Sequence, residues 1–457
     1  MQFNLNEIID EIGAKVLQGN ADIRIRGVSI NSRTIRKGEL YIAIVGKRLD
    51  GHDFIGDCIK KGAAAVIVSK KGGFKKDIPV LYVKDTTKSL GFLARFYRRK
   101  FKIPLIAITG SSGKTTTKEM AAHVLSSRYN VLKNIATENN QFGVPLTLFR
   151  LNPRHEMVVL ELGTNCFGDI KWLAQIAEPT EAIFTNIGAS HLEFLRSPAG
   201  VLKEKSDLVK YMSPTGKVIL NYDDPYLRGL KVGKRQKIIS YGVHARSRYK
   251  AEVLPSSGPV NLRFQIHKQI FELKTPVQHN IYNALAAISA ARLFKVDVAD
   301  IQRRLKSFRF PKGRFMINQR RGSWIIDDTY NANPVSFRSA IETLAQIRNK
   351  GKKILICADM LELGEKTERL HREVGVLAGQ LNINLVLGVG KLAKFICEDA
   401  KRNNTDVSAF HFDTVNKLHQ RLPGFFKPGD AILVKGSRGM HMEQTVEFLN
   451  KLLTHKN

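Results

Sequence analysis

Residues 105–125 have the sequence LIAITGSSGKTTTKEMAAHVL, the clearest structural pattern in the chain. The continuous apolar run at 105–109 is typical of a strand buried on both faces of a parallel sheet. A loop of glycine and serine follows at 110–113, and a helical pattern begins directly after it. Glycines let backbone N–H groups approach phosphate oxygens, and a helix N-terminus adds positive potential. The stretch therefore predicts an α/β domain that binds a nucleotide.

The side chains of this loop predict how the nucleotide is held. Lys114 is placed to bind the β- and γ-phosphates, and the Thr115 hydroxyl is placed to face Mg²⁺. The strict pattern G-x-x-x-x-G-K-[ST] is not met, because Ile108 stands where its first glycine belongs. The alternative is a Gly/Ser turn that merely caps a helix; the preceding strand and the Lys-Thr pair favour nucleotide binding. The residues predicted to bind the nucleotide are Gly110, Ser111, Ser112, Gly113, Lys114, Thr115 and Thr116.

Apolar runs alternate with helical patterns on both sides of this stretch. In the middle of the chain the runs predict a doubly wound parallel sheet. The segment before it reads as a small α/β unit that ends with a helix at 89–101, just before Pro104. A further, smaller α/β unit begins near Pro311 and contains an apolar run at 323–328 that predicts a strand. The sequence thus predicts an α/β protein of three domains, at residues 1–102, 103–312 and 313–457. The junction at 311–314 is the candidate hinge.

The amino-acid composition of the chain excludes several classes of protein. Of the 457 residues, 43% are apolar and 25% are charged, which excludes a disordered chain, a coiled coil and a collagen. No apolar run is long enough to span a membrane, and residues 1–13 lack the pattern of a signal peptide. Four widely spaced cysteines show no disulfide framework or metal motif. We therefore expect a reduced, cytoplasmic protein.

The formal net charge of +32, from 73 Lys and Arg against 41 Asp and Glu, suggests anionic partners. One alternative function is therefore a P-loop ATPase stimulated by nucleic acid. However, the basic residues are spread along the chain, without a basic arm and without interleaved aromatic residues of the kind that stack bases. We expect no nucleic-acid partner.

Polar residues at the ends of two predicted core strands suggest a metal site. Glu161 ends one strand and His191 follows the next, and ligands of open α/β sheets collect at the carboxyl ends of strands. With Thr115 they could complete a Mg²⁺ site, although histidine is an unusual ligand for this ion. Taken singly, each residue is better explained by a capping or hydrogen-bonding role. Lys205, taken singly, reads as a lysine on a solvated helix face.

Together, these motifs resemble the Mur ligase family, ATP-dependent enzymes that form amide bonds in peptidoglycan synthesis. The resemblance extends in order along nearly the whole chain, and IDDTYNANP and DMLELGE are characteristic of the branch that adds D-alanyl-D-alanine. The matching segments are NSRTIRKGELYIAIVGKRLDGHDFI (31–55), TGSSGKT (109–115), TENNQFGVPLTL (137–148), LELGTNCFGDI (160–170), NIGASHLEFL (186–195), EKSD (204–207), HNIYNALAA (279–287), PKGRF (311–315), IDDTYNANP (326–334), DMLELGE (359–365) with His371, and LVKGSRGM (433–440).

The resemblance implies roles for individual residues. Glu161 and His191 match metal-binding positions, and Lys205 matches a lysine that is carbamylated in relatives and helps to hold a second Mg²⁺. With Lys114 and Arg314 they form the implied catalytic set. Other matched positions are Asn283 for adenine, Arg314 and Asp328 for the phosphates and ribose, Ser32 and Arg33 in the uridine-nucleotide segment, and Asn139 and Asn140 in a loop near the reacting substrates.

The resemblance also implies the reaction and its partners. UDP-N-acetylmuramoyl-tripeptide would be activated by ATP as an acyl phosphate and then joined to D-alanyl-D-alanine, on an enzyme expected to be a monomer. The first domain would bind the UDP-sugar, the central domain ATP and Mg²⁺, and the Rossmann-like third domain the dipeptide. A sibling ligase that adds a single amino acid is the nearest alternative. Asn31, Thr137 and Cys166 replace the usual aspartate, asparagine and histidine of the family motifs.

Overall fold

The computed structural model of the protein describes residues 2–72, 78–255 and 261–454. Its N-terminal part is a five-stranded sheet in the order β2-β7-β6-β5-β4, parallel except for β2, while β1 pairs with β3. The strands are β1 Phe3–Asn4, β2 Lys15–Gln18, β3 Arg24–Ile25, β4 Gly27–Ser29, β5 Glu39–Ile42, β6 Ala65–Val68 and β7 Val80–Tyr82. The helices are α1 Ile55–Lys60 and α2 Thr86–Arg99, with 3₁₀ turns at Leu5–Ile8 and Gly51–Phe54.

Helix α2 joins the N-terminal sheet to the rest of the molecule. The Asp85 carboxylate caps it by accepting hydrogen bonds from the backbone N–H groups of Thr87 and Lys88 at 2.9 and 3.0 Å. The apolar face of the helix is buried, and the Tyr97 hydroxyl donates to the Leu151 carbonyl at 2.9 Å. This helix was predicted from its pattern at 89–101.

The central part contains a seven-stranded, wholly parallel sheet in the order β14-β13-β12-β11-β8-β10-β9. Its strands are β8 Leu105–Thr109, β9 Val131–Lys133, β10 Met157–Glu161, β11 Glu181–Phe184, β12 Lys217–Asn221, β13 Lys237–Gly242 and β14 Tyr249–Lys250. Helices α3 to α10 are Lys114–Leu125, Gly143–Leu148, Asp169–Ala177, Leu192–Leu195, Pro198–Tyr211, Pro225–Arg228, Asn280–Leu293 and Val298–Lys306. An antiparallel sheet that the sequence analysis did not predict follows, with β15 Glu252–Leu254, β16 Leu262–Ile266 and β17 Gln269–Leu273.

Strand β8 shows why the run at 105–109 is continuously apolar. Leu105 and Ala107 belong to the core on one face of the sheet, while Ile106 and Ile108 belong to the core on the other. Helices cover both faces, so neither set of alternate side chains meets water. The chain order also reverses around β8, since β10 lies on one side of it and β11 on the other. Their carboxyl ends share one edge, where ligands bind in open α/β sheets.

The C-terminal part is a six-stranded sheet in the order β18-β19-β23-β20-β21-β22, parallel except for the edge strand β18. Its strands are β18 Met316–Arg320, β19 Ser323–Asp328, β20 Lys353–Ala358, β21 Leu385–Val389, β22 Ser408–Phe412 and β23 Ala431–Lys435. Helices α11 to α15 are Pro334–Gln346, Thr367–Gln380, Ala393–Asn403, Val415–Arg421 and Glu443–Thr454, with 3₁₀ turns at Gly364–Lys366, Leu422–Gly424 and Arg438–Met440.

These sheets confirm the predicted fold class, a doubly wound central α/β sheet between two further α/β units. In the part of the chain that the structure describes, no helix has the length and apolar character needed to cross a bilayer.

Candidate active site

The phosphate loop lies between β8 and α3, and two of its glycines are required by close contacts. Gly110 has a φ of +148°, and a Cβ atom there would lie 1.9 Å from Thr185 Oγ1. Gly113 has a φ of +81°, and its Cβ would lie 2.5 Å from Asn283 Oδ1. Only glycine avoids both the backbone strain and the clash. The two glycines therefore let the loop pass close to Thr185 and Asn283 on its way from β8 to α3.

The end of β11 supports the loop from the neighbouring strand. The Ser111 N–H donates to the Asn186 carbonyl, and the Ser112 N–H donates to Asn186 Oδ1, both at 2.9 Å. Thr185 Oγ1 donates in turn to the Ser112 carbonyl at 2.6 Å. Neither residue was assigned a role from the sequence, although Asn186 is the first residue of the motif at 186–195. Their position at a strand end beside the switch point was the available signal.

Lys114 begins α3 and lies in the cavity beside the loop. Its Nζ donates to the Gly110 carbonyl at 2.9 Å, so the side chain folds back over the loop. Burial lowers the pKa of Lys114; the charge of Glu161 opposes that shift and the charge of Arg314 adds to it. A bound polyphosphate would supply negative charge beside this partly buried ammonium.

Thr115 and Glu161 are in direct contact. Thr115 Oγ1 donates to Glu161 Oε2 at 2.8 Å, and Asn139 Nδ2 donates to Glu161 Oε1 at 2.8 Å. Glu161 is 2% exposed, and among the described residues its carboxylate is contacted by these two neutral donors and by no salt-bridge partner. A buried carboxylate beside a hydroxyl, held by neutral donors, is a fitting donor set for Mg²⁺, which prefers oxygen ligands.

Arg314 crosses from the C-terminal part of the chain to this pair. Its Nη2 donates to Thr115 Oγ1 at 3.1 Å, and its guanidinium lies 3.8 Å from the centroid of the Tyr330 ring. Burial lowers the pKa of Arg314, and the charge of Glu161 opposes that effect. Arg314 Nε is buried without a hydrogen-bond partner in the described residues. Arg314 is thus positioned to bind an anion next to the phosphate loop.

Asp328 lies in the same cavity and is paired with a residue that the sequence analysis did not assign. Lys435 Nζ donates to Asp328 Oδ2 at 2.5 Å and to the Asn331 carbonyl at 3.1 Å. Lys435 is 1% exposed at the end of β23, next to β19 in the sheet. Burial lowers the pKa of Lys435, and the attraction of Asp328 opposes that shift. The lysine fixes the position of the carboxylate.

His191 lines the cavity but lies apart from the hydrogen bonds of Glu161. Its Nδ1 is 2.8 Å from Oε2 of Glu362, a residue of the segment between β20 and α12. The hydrogen bond from His191 lowers the pKa of Glu362. Among the described residues, no hydrogen bond or ion pair joins His191 to Glu161 or Thr115.

Lys205 is buried, so its interpretation as a lysine on a solvated helix face is wrong. It is 1% exposed on α7, where Val201, Glu204 and Leu208 of the same helical face are also buried. Its Nζ forms no hydrogen bond or salt bridge with the described residues. Burial sets the pKa of Lys205 well below its usual range, and the charge of Lys114 lowers it further.

A single cavity of about 790 Å³ collects most of the predicted site residues from the central and C-terminal parts of the chain. Those that line it are Ser111, Ser112, Gly113, Lys114, Thr115, Thr116, Asn139, Asn140, Glu161, His191, Asn283, Arg314 and Asp328. Thr137 and Cys166, which depart from the family motifs, line it as well. The predicted site residues that are not among its lining residues are Gly110, Lys205, Ser32 and Arg33. In the N-terminal part, Lys61 Nζ donates to the Ser32 carbonyl at 2.7 Å.

Hydrogen bonds with two other polar side chains fix the position of the Asn283 side chain. Its Oδ1 accepts from Thr117 Oγ1 at 3.0 Å, and its Nδ2 donates to Asn280 Oδ1 at 2.9 Å. Nearby, His279 lines the cavity, and its Nε2 is buried without a hydrogen-bond partner in the described residues. A polar pocket for a ligand therefore adjoins the phosphate loop.

Comparison with known proteins shows which family models and relatives the chain matches. Residues 24–98 match the Mur ligase family catalytic domain, 108–291 the Mur ligase middle domain, and 313–438 the Mur ligase glutamate ligase domain. The UDP-N-acetylmuramoyl-tripeptide–D-alanyl-D-alanine ligase of Bacillus subtilis is 33% identical, over 93% of this chain and 93% of that protein. The ligase of the same name from Escherichia coli is 34% identical, over 98% of both chains.

Solved structures agree with these sequence matches. The crystal structure of MurF from Acinetobacter baumannii superposes with a TM-score of 0.90 at 29% identity, over 100% of this chain and 99% of that one. MurF ligase from Thermotoga maritima, solved in complex with ADP, superposes with a TM-score of 0.83 at 29% identity, over 94% of this chain and 98% of that one. Since domain matches, full-length relatives and folds all agree, the chain belongs to the Mur ligase family.

Proposed function

We propose that this protein joins D-alanyl-D-alanine to UDP-N-acetylmuramoyl-tripeptide, with conversion of ATP to ADP and phosphate. The observation that carries the proposal is one cavity in which Lys114, the Thr115–Glu161 pair and Arg314 converge from two sheets. Full-length similarity to ligases named for this reaction supports the choice of substrates.

The chemistry required explains the charges in the cavity. A carboxylate is a poor electrophile at pH 7, so the tripeptide carboxylate would attack the γ-phosphate of ATP and form an acyl phosphate and ADP. The amine of the dipeptide would then attack the acyl carbon and release phosphate. The first step brings anions together, and Lys114 and Arg314 are placed to offset that repulsion and to stabilise charge on the transferred phosphoryl group.

Mg²⁺ would be held by the oxygens of Thr115 and Glu161, with His191 as a further ligand, and would screen the phosphate charges when bound. Lys205 is proposed to carry a carbamate that helps to hold a second ion. Its burial supports this, since a neutral buried amine can react with CO₂, and the resulting anion would suit a site lined by cations. The reaction of the amine with CO₂ forms one N–C bond and releases one proton.

Each of the three domains would bind a different substrate, as the sequence suggests. Residues 1–102 would bind the UDP-sugar through the segment that contains Ser32 and Arg33. Residues 103–312 would bind ATP, with Asn283 near adenine and Asn139 and Asn140 near the reacting groups. Residues 313–457 would bind the dipeptide and place Asp328 at the ribose. Closure of this third domain would exclude the water that hydrolyses an acyl phosphate. We further propose that the enzyme acts as a monomer in the cytoplasm.

The test is phosphate release from Mg-ATP with UDP-N-acetylmuramoyl-tripeptide, measured with and without D-alanyl-D-alanine, with the product identified by mass. Release that depends on the dipeptide and yields the pentapeptide is the expected result. Release that depends on a single amino acid instead would identify a sibling ligase. Release that ignores both substrates and rises with DNA or RNA would overturn the proposal.

A further inference from the structure

The contact between His191 and Glu362 joins two parts of the chain that are far apart in sequence. His191 lies between β11 and α6 of the central part, and Glu362 lies between β20 and α12 of the C-terminal part. The carboxylate of Glu362 can only accept a hydrogen bond, so Nδ1 of His191 must carry the proton in this 2.8 Å contact. A neutral imidazole in this tautomer keeps its lone pair on Nε2, the form in which histidine binds a metal.

Backbone contacts hold the two residues in place. His191 has a φ of +52° and Glu362 a φ of +63°, values that are uncommon outside glycine and that persist where neighbouring contacts stabilise them. The Glu193 N–H donates to the Glu362 carbonyl at 3.4 Å, beside the side-chain contact. At Gly364 a Cβ would lie 3.3 Å from Glu193 Cα, so the two segments pack closely.

We propose that Glu362 is a positioning residue that orients His191 toward the metal from the C-terminal domain. Histidine ligands generally donate their second ring N–H to a carboxylate or carbonyl, which fixes the ring and its tautomer. Here that carboxylate comes from the domain proposed to close over the nucleotide. The metal site is therefore fully ordered only when the two domains are in contact, and closure and metal binding favour each other. This inference rests on the proposed role of His191 as a metal ligand.

Three other pairs of residues also connect the central and C-terminal parts of the chain, and they can be compared with the His191–Glu362 pair. Arg314 Nη2 donates to Thr115 Oγ1, and Asn333 Nδ2 donates to Ser112 Oγ at 3.2 Å. These contacts end on the phosphate loop and on the first residues of α3. At Gly188 a Cβ would lie 2.9 Å from a methyl group of Val335. The Glu362 contact differs because it ends on a predicted metal ligand.

The experiment measures binding of Mn²⁺, as a spectroscopic substitute for Mg²⁺, by electron paramagnetic resonance in the presence of a non-hydrolysable ATP analogue. Glu362→Ala should weaken Mn²⁺ binding roughly 10-fold or more, the lower end of the loss seen when the partner of a ligating histidine is removed. Glu362→Gln should recover most of that loss, because its amide oxygen still accepts from Nδ1. Glu365→Ala is the matched control, an exposed glutamate of the same segment, and should bind Mn²⁺ like the wild type.

A second arm separates orientation of His191 from direct ligation by Glu362. If Glu362 acts through His191, Glu362→Ala should have no further effect in a His191→Ala background. An equal effect in both backgrounds, or wild-type Mn²⁺ binding by Glu362→Ala, would overturn the inference. Thermal unfolding of each variant establishes that it is folded. If instead the wild-type protein binds no Mn²⁺ with the nucleotide, the proposed metal site itself is wrong, which is a distinct result.

Discussion

Replacing Thr115 by valine should disable the active site while the fold persists. Valine keeps the shape of the side chain and removes the hydroxyl, so Glu161 loses its donor at 2.8 Å and Arg314 loses its acceptor at 3.1 Å. A hydrogen bond to a charged group contributes about 1.5–3 kcal/mol to stability, so the two contacts together set an upper bound of roughly 3–6 kcal/mol. Because water can enter the cavity and replace part of these contacts, we expect a loss of about 1–3 kcal/mol.

The consequence for catalysis is larger than that for stability. The hydroxyl is proposed to face Mg²⁺ and contacts the carboxylate proposed to bind it, so kcat should fall on the order of 10²–10³-fold. The assay is phosphate release with both substrates across a Mg²⁺ titration, together with thermal unfolding, where a shift of about 1 °C per kcal/mol is expected for a chain of 457 residues. Thr115→Ser is the control, since it retains the hydroxyl and should keep most of the rate. Wild-type kcat and Mg²⁺ dependence in Thr115→Val would refute the assignment of this site.

Three further predictions concern single side chains. Lys114→Ala should abolish turnover because it removes the partly buried ammonium beside the phosphate loop; phosphate release at a near-normal rate would contradict this. Lys205→Ala should lose activity, and a short carboxylic acid should partly restore it. In the wild-type protein, carbamylation measured by mass spectrometry should increase with pH, starting well below the pH range in which lysine usually titrates. The reason is that burial lowers the pKa of Lys205 and only the neutral amine reacts with CO₂. Failure of both observations would remove the carbamate and leave the ligase intact. Of the four cysteines, Cys166 alone is exposed, so iodoacetamide should label it first, and substrates should slow the labelling because Cys166 lines the cavity. Labelling of Cys166 at the same rate with and without substrates would contradict its place in the substrate cavity.

Much of the fold was predictable because local chemistry determines it. The strand, glycine loop and helix at 105–125 follow from an apolar run, two residues without Cβ and a helical pattern, all within one short stretch. The strand at 323–328 was predicted with the bounds that the structure has. By contrast, β15, β16 and β17 were not predicted, because short antiparallel strands with mixed burial lack a continuous apolar run.

The burial of Lys205 shows where reasoning from a single residue fails. Its lysine-rich surroundings suggested a solvated helix face, yet Val201 and Leu208 place apolar groups four residues before it and three after it. That spacing was visible in the sequence and indicates the buried face of α7. What could not be seen is the neighbouring Lys114, which follows another strand of the sheet and contributes to the low pKa of this amine.

The sequence by itself determined the α/β class, the phosphate loop and the resemblance to a ligase family, since these rest on periodicity and ordered motifs. Only the tertiary structure decided which distant side chains meet. It showed that Lys435 binds Asp328, that Asn186 accepts a hydrogen bond from the phosphate loop, and that Glu362 contacts His191. The physical reason is that strand order and domain packing bring together the carboxyl ends of strands that are distant in sequence. No local spacing encodes those contacts, because each one depends on how whole sheets are arranged.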